Sequence, residues 1–235
     1  MKLAISSKLR TRLGVLHKGS KAYDFLAAMP LITWFIFGAV ATLKPVPQLG
    51  TQLLARPDMT VALTLLSKCA VLLFAIVAIT MLILRRPPQG GARGIAPRVA
   101  GLLGTYLAVA MVLLPPAQLS PIWMAAASAL TLGGMAFACF SILWLGRSFS
   151  LMAEARQLVT SGPYAVIRHP LYVGEEISVI GMTIMFFSPL ALLLLAAQIA
   201  CQLYRMGCEE EVLASAFPEY HAYKACTARL VPGLY

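Results

Sequence analysis

Two short polar segments interrupt a chain of 235 residues that is 60% hydrophobic and only 12% charged. The first, SGPYAVIRHPLYVGEE at 161–176, gathers Arg168, His169, Glu175 and Glu176 immediately before an apolar run. The second, YRMGCEEEVLASAFPEYHAY at 204–223, holds Arg205 and the acidic run Glu209, Glu210 and Glu211. Arg205 and Glu209 are four residues apart, so a helix leaving the preceding apolar run would set both on one face. A guanidinium there can grip a planar carboxylate through two parallel hydrogen bonds, and the neighbouring glutamate can hold a cation. The plainer reading is a solvated ion pair worth a few tenths of a kcal/mol. The motif residues of the two segments include no Ser/His/Asp or Cys/His constellation for nucleophilic catalysis. Glu175 and Glu176 open an apolar run, where carboxylates are costly unless they face protein or a polar cavity.

The backbone around these residues is constrained. Gly162-Pro163 marks a tight turn. Pro170 biases His169 away from helical geometry and suits the first turn of a following helix. The stretch would thus present Tyr164, His169 and Tyr172 at a membrane edge. Read blandly, it is a basic topology-setting loop with interfacial tyrosines.

The positioning elements are apolar. A soluble domain of this length would carry about 25% charged residues to cover its surface. Six apolar runs lie at roughly 23–43, 60–84, 99–118, 121–145, 172–187 and 189–206. The first four are long enough to span a hydrocarbon core of about 30 Å. The last two are shorter, and Ser188-Pro189 divides them, which predicts a helical hairpin turning at FFSPL. The fold expected is all-α: a polytopic membrane helix bundle of about six transmembrane segments, its last two forming that hairpin. Residues 1–22 are a basic N-terminal segment, either an interfacial helix with Leu9, Leu13 and Leu16 along one face or a topology signal without fixed structure. Residues 23–145 hold four spans. Residues 146–235 hold nearly all the readable chemistry. The loop RRPPQGGARGIAPR at 85–98 reads as a mobile connector.

The net charge of +10 follows topology. Of 19 basic residues, all but Lys44, Arg56 and Lys68 fall on one side of this arrangement. The excess of Lys and Arg predicts that both termini and the 161–176 stretch are cytoplasmic. No basic stripe with interleaved aromatics suggests nucleic acid. Lys68 lies within a span, about two turns from its outer end, and is expected to snorkel to the interface. His17, His169 and His221 are not spaced with cysteines as metal ligands, and free thiols are expected for all five cysteines. GAVA at 38–41 follows an apolar run, but the region before it is longer and more basic than an ordinary signal peptide. Gly133, Gly134 and Ala138 in LGGMAFACF permit close helix packing, within one chain or between two.

The pattern Q-L-V-T-S-G-P-Y-x-x-x-R-H-P-L-Y-x-G, followed about 30 residues later by R-x-x-x-E-E-x-x-L-x-x-x-F, resembles the isoprenylcysteine carboxyl methyltransferase family, related to the phospholipid N-methyltransferases. The likeness runs from Gly146 to Tyr223. It implies a cytoplasmic cleft for S-adenosyl-L-methionine built from Gln157, Leu158, Val159, Tyr164, His169, Pro170, Leu171, Tyr172 and Glu209. It also implies that Arg205 faces the carboxylate of the acceptor. Two positions depart from the family pattern: Arg156 stands where histidine is frequent, and Pro218-Glu219-Tyr220 is one residue shorter than usual.

The resemblance implies a membrane methyltransferase acting on a lipophilic or prenylated acceptor that enters from the bilayer, most simply on its carboxylate. A carboxylate is already ionised, so its methylation needs positioning rather than a base. An amine acceptor, as in the phospholipid N-methyltransferases, would use one, with His169, Glu175 or Glu176 as candidates. Two other classes are a non-catalytic transporter or scaffold, and a sterol-reductase-like enzyme using NADPH. Pro170 and the E-E-x-x-L motif distinguish this chain from the latter.

Overall fold

In the computed structural model, which describes residues 21–233, the apolar runs fold as helices. In chain order these are α1 (Lys21–Leu43), α2 (Val46–Ala55), α3 (Met59–Leu84), α4 (Ala96–Ala110), α5 (Pro121–Leu145), α6 (Pro170–Met185), α7 (Pro189–Ala216) and α8 (Tyr220–Cys226). Five stretches are long and apolar enough to cross a membrane: Asp24–Ala55, Met59–Leu84, Ala96–Leu113, Pro121–Ser148 and Pro189–Ala216. Large apolar side chains such as Ile76, Ile122 and Leu193 point outward, as a lipid solvent favours. The architecture is the expected all-α polytopic bundle. The N-terminal segment proposed as an interfacial helix lies almost wholly outside the described residues.

Local chemistry sets the helix ends. Asp58 caps α3 by accepting a hydrogen bond from the Val61 amide at 3.0 Å. Ser188 caps α7 through the Ala191 amide at 3.1 Å. Prolines occupy the first turns of α2, α4, α5, α6 and α7, where their missing N–H costs nothing.

Three boundaries differ from the sequence reading. The third span, expected to reach residue 118, ends as an α-helix at Ala110 and in a single 3-10 turn at Leu113. Pro115 and Pro116 cannot continue it, and each disfavours helical geometry in the residue before it. Residues 46–55, which lie between the first two apolar runs, form α2, which has no buried residues. The 85–98 connector is tied down rather than mobile. Its Gly90–Gly91 (β1) pairs antiparallel with Glu154–Ala155 (β2), flanked by Gln89 N to Ala155 O at 2.7 Å and Ala92 N to Ala153 O at 2.8 Å.

The predicted hairpin is present, turning at Phe186–Ser188 between α6 and α7. At 16 residues α6 is about 24 Å long, short of a full hydrocarbon core. At 28 residues α7 is about 42 Å long, so Arg205 stands level with Tyr172 in the first turn of α6 while Glu209 and Glu210 are carried past its start.

The tightest seam joins α5 to α6. A Cβ added to Gly134 would lie 2.5 Å from the Ser178 amide nitrogen. One on Gly174 would lie 2.6 Å from the Ala138 nitrogen, and one on Gly181 2.5 Å from Thr131 Oγ1. The small residues of LGGMAFACF therefore serve packing within the chain, through Gly134 and Ala138, while a Cβ on Gly133 would meet open space. Around this seam α3 packs on α5 and α1, and α4 packs on α7. A core of Leu31, Phe35, Phe74, Leu82 and Ile142 joins α1, α3 and α5.

Candidate functional site

After α5 the chain runs along one end of the bundle. Phe149, Leu151, Ala153 and Ala155 are buried at every second position, the pattern of an extended segment with one face inward. Gly101 of α4 admits this segment, since a Cβ there would sit 2.9 Å from the Leu151 carbonyl oxygen. An ion cluster fixes its far end. Arg85 grips the Asp24 carboxylate with Nε at 2.7 Å and Nη2 at 2.8 Å. Arg156 donates to Asp24 Oδ1 at 2.9 Å and to Glu154 Oε2 at 2.6 Å. Arg156 is thereby buried among acids at the position where the family resemblance leads one to expect histidine. Arg86 on the docked connector holds the Gln157 side chain.

The turn at Gly162 is obligatory. Its φ of +60° lies in the left-handed region, and a Cβ there would come within 2.1 Å of the Trp144 ring. Trp144 Nε1 donates to Ser161 Oγ at 3.1 Å. Beyond the turn, the C-terminal tail is stitched to the loop. The Arg168 amide donates to Ala228 O at 2.9 Å and the His169 amide to Arg229 O at 3.2 Å. Glu210 is the hub of this junction. Its carboxylate meets Arg168 Nε at 3.0 Å, His169 Nε2 at 3.2 Å, Lys224 Nζ at 3.0 Å and Arg229 Nε at 3.1 Å. Tyr223 donates to the Tyr164 carbonyl at 2.7 Å, which completes the clamp.

Across the α6–α7 hairpin the polar side chains pair as rungs. At the outermost rung Tyr172 donates to Glu209 Oε1 at 2.6 Å. Arg205 Nε donates to the same oxygen at 3.0 Å, Nη2 reaches Ser150 O at 3.2 Å, and the guanidinium carbon lies 4.9 Å from the Tyr172 ring centre. One turn deeper, Gln202 Nε2 donates to Glu175 Oε2 at 3.1 Å. Below it Gln198 Nε2 donates to Glu176 Oε1 at 2.9 Å. These partners explain why two adjacent carboxylates are tolerated in an apolar run.

Two hollows meet at this ladder. The first is a cleft at the end of the bundle, lined by Gln157, Leu158, Val159, Tyr164, His169, Leu171, Tyr172, Arg205 and Glu209. Pro170 alone of the expected residues lies off it, buried at the first turn of α6, where it fixes the backbone leading from His169 to Tyr172. Ser150, Tyr220 and Tyr223 also line the cleft, none of them singled out by motif. Burial pushes the phenols of Tyr164 and Tyr220 far up, and that of Tyr223 up to about 12, so all three stay protonated at neutral pH. The second hollow is an apolar cavity inside the bundle, walled by residues such as Phe35, Val71, Phe74, Val109, Met135 and Met182. Its polar lining includes Glu175, Gln202 and Gln198. Lys68, expected to snorkel toward the interface, also lines this cavity.

In the cleft Glu209 is paired with Arg205, which also covers the Tyr172 ring, and the Tyr220 hydroxyl is buried without a hydrogen-bond partner. Among the described residues, no group of three or more His, Cys, Asp or Glu side chains is arranged to hold a metal ion.

Comparison with known proteins bears on the same region. Residues 127–215, from α5 to nearly the end of α7, match the isoprenylcysteine carboxyl methyltransferase (ICMT) family. The cobalt-zinc-cadmium resistance protein CzcN of Cupriavidus metallidurans is 37% identical over 108 residues, 45% of this chain and 50% of that protein. The nickel-cobalt-cadmium resistance protein NccN of Alcaligenes xylosoxydans xylosoxydans is 33% identical over 115 residues, 48% of this chain and 53% of that protein. The chain thus spans about half the length of the curated relatives it matches. The resemblance drawn from the two sequence motifs is borne out over 127–215, the segment that carries Glu175 on the cavity and Tyr172, Arg205 and Glu209 on the cleft.

Proposed function

We propose that this integral membrane protein is a methyltransferase that moves the methyl group of S-adenosyl-L-methionine to a lipophilic acceptor. The observation that carries the reading is the convergence of Tyr172, Arg205 and Glu209 where the cleft approaches an apolar cavity inside the bundle. The family match over 127–215 supports the same reaction class.

In this reading Gln157, Leu158, Val159, Tyr164, His169, Leu171 and Tyr172 wrap the cofactor, and Pro170 shapes the turn beneath it. Glu209 meets its positive charge. The cofactor supplies a methyl group already activated by a sulfonium, so the protein's part is alignment and exclusion of water, worth about 7–11 kcal/mol when geometry is good. Glu210 acts through His169, which it orients from the side away from the cleft. The excess of Lys and Arg in the terminal segments and the loops at 85–98 and 146–169 supports a cytoplasmic cleft and cytoplasmic termini. The acceptor enters from the bilayer.

For an isoprenylcysteine-type acceptor, Arg205 would hold the carboxylate. A second reading, transfer to an amine or hydroxyl, is favoured by a specific observation. Arg205 is already engaged by Glu209, the Ser150 carbonyl and the Tyr172 ring, and the groups on the apolar cavity beneath it are Glu175 and Gln202.

Isothermal titration of the purified protein with S-adenosylhomocysteine tests the proposal. Saturable binding that is lost in Glu209→Ala is expected. Failure to bind at millimolar ligand overturns it.

A further inference from the structure

We propose that Glu175 is the proton acceptor of the transfer, and that the acceptor is an apolar molecule ending in a proton-bearing nucleophile, an amine or a hydroxyl. This rests on the methyltransferase reading above and specifies its acceptor class.

The cavity among the helices supplies the first observation. Its walls are apolar, so a hydrocarbon body is stabilised there while water is not. Its polar lining near the cleft is one-sided in hydrogen-bonding character. Gln202 and Gln198 are 3% and 1% exposed, and both give an amide N–H to a carboxylate, Glu175 and Glu176 respectively. Both of their amide oxygens are left buried without a partner. The open positions at this end are therefore acceptor lone pairs. Whatever fills it must bring donors. A carboxylate brings none, and it would approach the Glu175 carboxylate as a like charge. An ammonium or a hydroxyl brings one to three.

The second observation is position. Glu175 lies one helical turn, about 4.5 Å, below Tyr172 on α6, and Gln202 lies one turn below Arg205 on α7. Glu175 lines the cavity and stands within electrostatic reach of Arg205 and Glu209, which line the cleft. The charged and titratable groups that face it are Arg205, Glu209, Tyr172 and Tyr164 from the cleft side and Glu176 on its own helix. Lys68 lines the same cavity from α3. His169, the other candidate base, has its Nε2 occupied by Glu210 and lines the cleft, not the cavity.

The step balances without any further reagent. The Glu175 carboxylate takes the N–H or O–H proton, and the freed lone pair forms a bond to the methyl carbon. The carbon–sulfur bond breaks with its electron pair passing to sulfur. The products are the methylated acceptor, the neutral thioether and a protonated Glu175, which returns its proton to solvent before the next cycle.

The test uses the full chain in phosphatidylcholine vesicles doped with hexadecylamine, hexadecanol and palmitate, supplied with methyl-labelled S-adenosyl-L-methionine. Label is expected in the amine or the alcohol and not in palmitate. Glu175→Gln, which keeps size and hydrogen bonding, is expected to bind S-adenosylhomocysteine as the wild type does yet lose at least about 100-fold in rate at pH 7. With the amine as acceptor, the residual rate of the variant should climb about tenfold per pH unit toward the amine's own pKa, near 10, because the free amine then needs no base. A merely structural role for Glu175 would not produce that profile. Label in palmitate alone overturns the proposal, as does absence of label from both proton-bearing acceptors while S-adenosylhomocysteine still binds. An unchanged rate or pH profile in Glu175→Gln also overturns it. Should that variant fail to bind S-adenosylhomocysteine, the same pH profile is read on Glu175→Asp, which keeps the carboxylate. Failure of the wild type to bind S-adenosylhomocysteine is a different result, and removes the methyltransferase reading itself.

Discussion

Glu209 and Glu210 are neighbours on α7 whose carboxylates serve different parts of the molecule. Successive helical residues point about 100° apart. Glu209 accordingly turns into the cleft to accept from Tyr172 and Arg205, while Glu210 turns to the tail and meets Arg168, His169, Lys224 and Arg229. Truncating them should have separable effects.

Removing the Glu210 side chain leaves several cations around a buried vacancy. Breaking a buried ion pair from one side costs about 3–5 kcal/mol. Glu210→Ala should therefore lower the thermal midpoint in detergent and release the tail, read as faster proteolysis within 217–233. An undisturbed tail with an unchanged midpoint would refute the role of Glu210 as its anchor.

Tyr172→Phe keeps the ring over Arg205 and removes only the 2.6 Å hydrogen bond to Glu209. Hydrogen bonds to charged groups contribute about 1.5–3 kcal/mol. S-adenosylhomocysteine affinity should fall by roughly tenfold or more in calorimetry, with the fold intact by circular dichroism. Equal affinity would mean that the cofactor does not depend on the Tyr172–Glu209 contact.

Gly134→Ala and Gly133→Ala are adjacent changes with opposite expectations. At Gly134 the new methyl would lie 2.5 Å from the Ser178 nitrogen and must force α5 from α6, whereas at Gly133 it meets nothing within 4 Å. Overpacking typically costs about 1–3 kcal/mol. Thermal unfolding should show a clear loss for Gly134→Ala and none for Gly133→Ala.

Tyr223 carries a pH signature. Burial raises its phenol from the ordinary 10 to about 12, so between those values the unfolded chain has lost a proton that the folded chain keeps. Stability must then fall as pH rises through that window. Unfolding measured from pH 9 to 12 should show this decline, shallower in Tyr223→Phe. Identical slopes would place the alkaline loss elsewhere.

Much of the frame was legible in the sequence because it follows from local rules. The apolar runs, the Ser188-Pro189 break and the Gly162-Pro163 turn each announce themselves within a few residues. The two motifs bring Arg205 and Glu209 to the same cleft as Tyr164, His169 and Tyr172 once the hairpin closes. What stayed hidden depends on pairing across long separations. Nothing near Asp24 indicates that Arg85 and Arg156 will meet on it, and nothing near Gly90 indicates a partner at Ala155. Gln198 and Gln202 escaped notice since an uncharged amide barely interrupts an apolar run. A spacing of four between them, with two glutamates in the companion span, was the available signal. The end of the third span was misjudged by hydropathy, which does not register that Pro115 and Pro116 break a helix.

The glycine seam between α5 and α6 also limits how this scaffold can diversify. Where backbone touches backbone there are no side chains to exchange, so that wall of the interior behaves as a fixed casting. Change in the shape of the chamber has to be written on the facing surfaces of α1, α3 and α4, where Phe35, Lys68, Phe74 and Val109 stand free of the seam. The wall bearing Glu175 is thus set by backbone, while the wall that faces it can change in shape with single side chains.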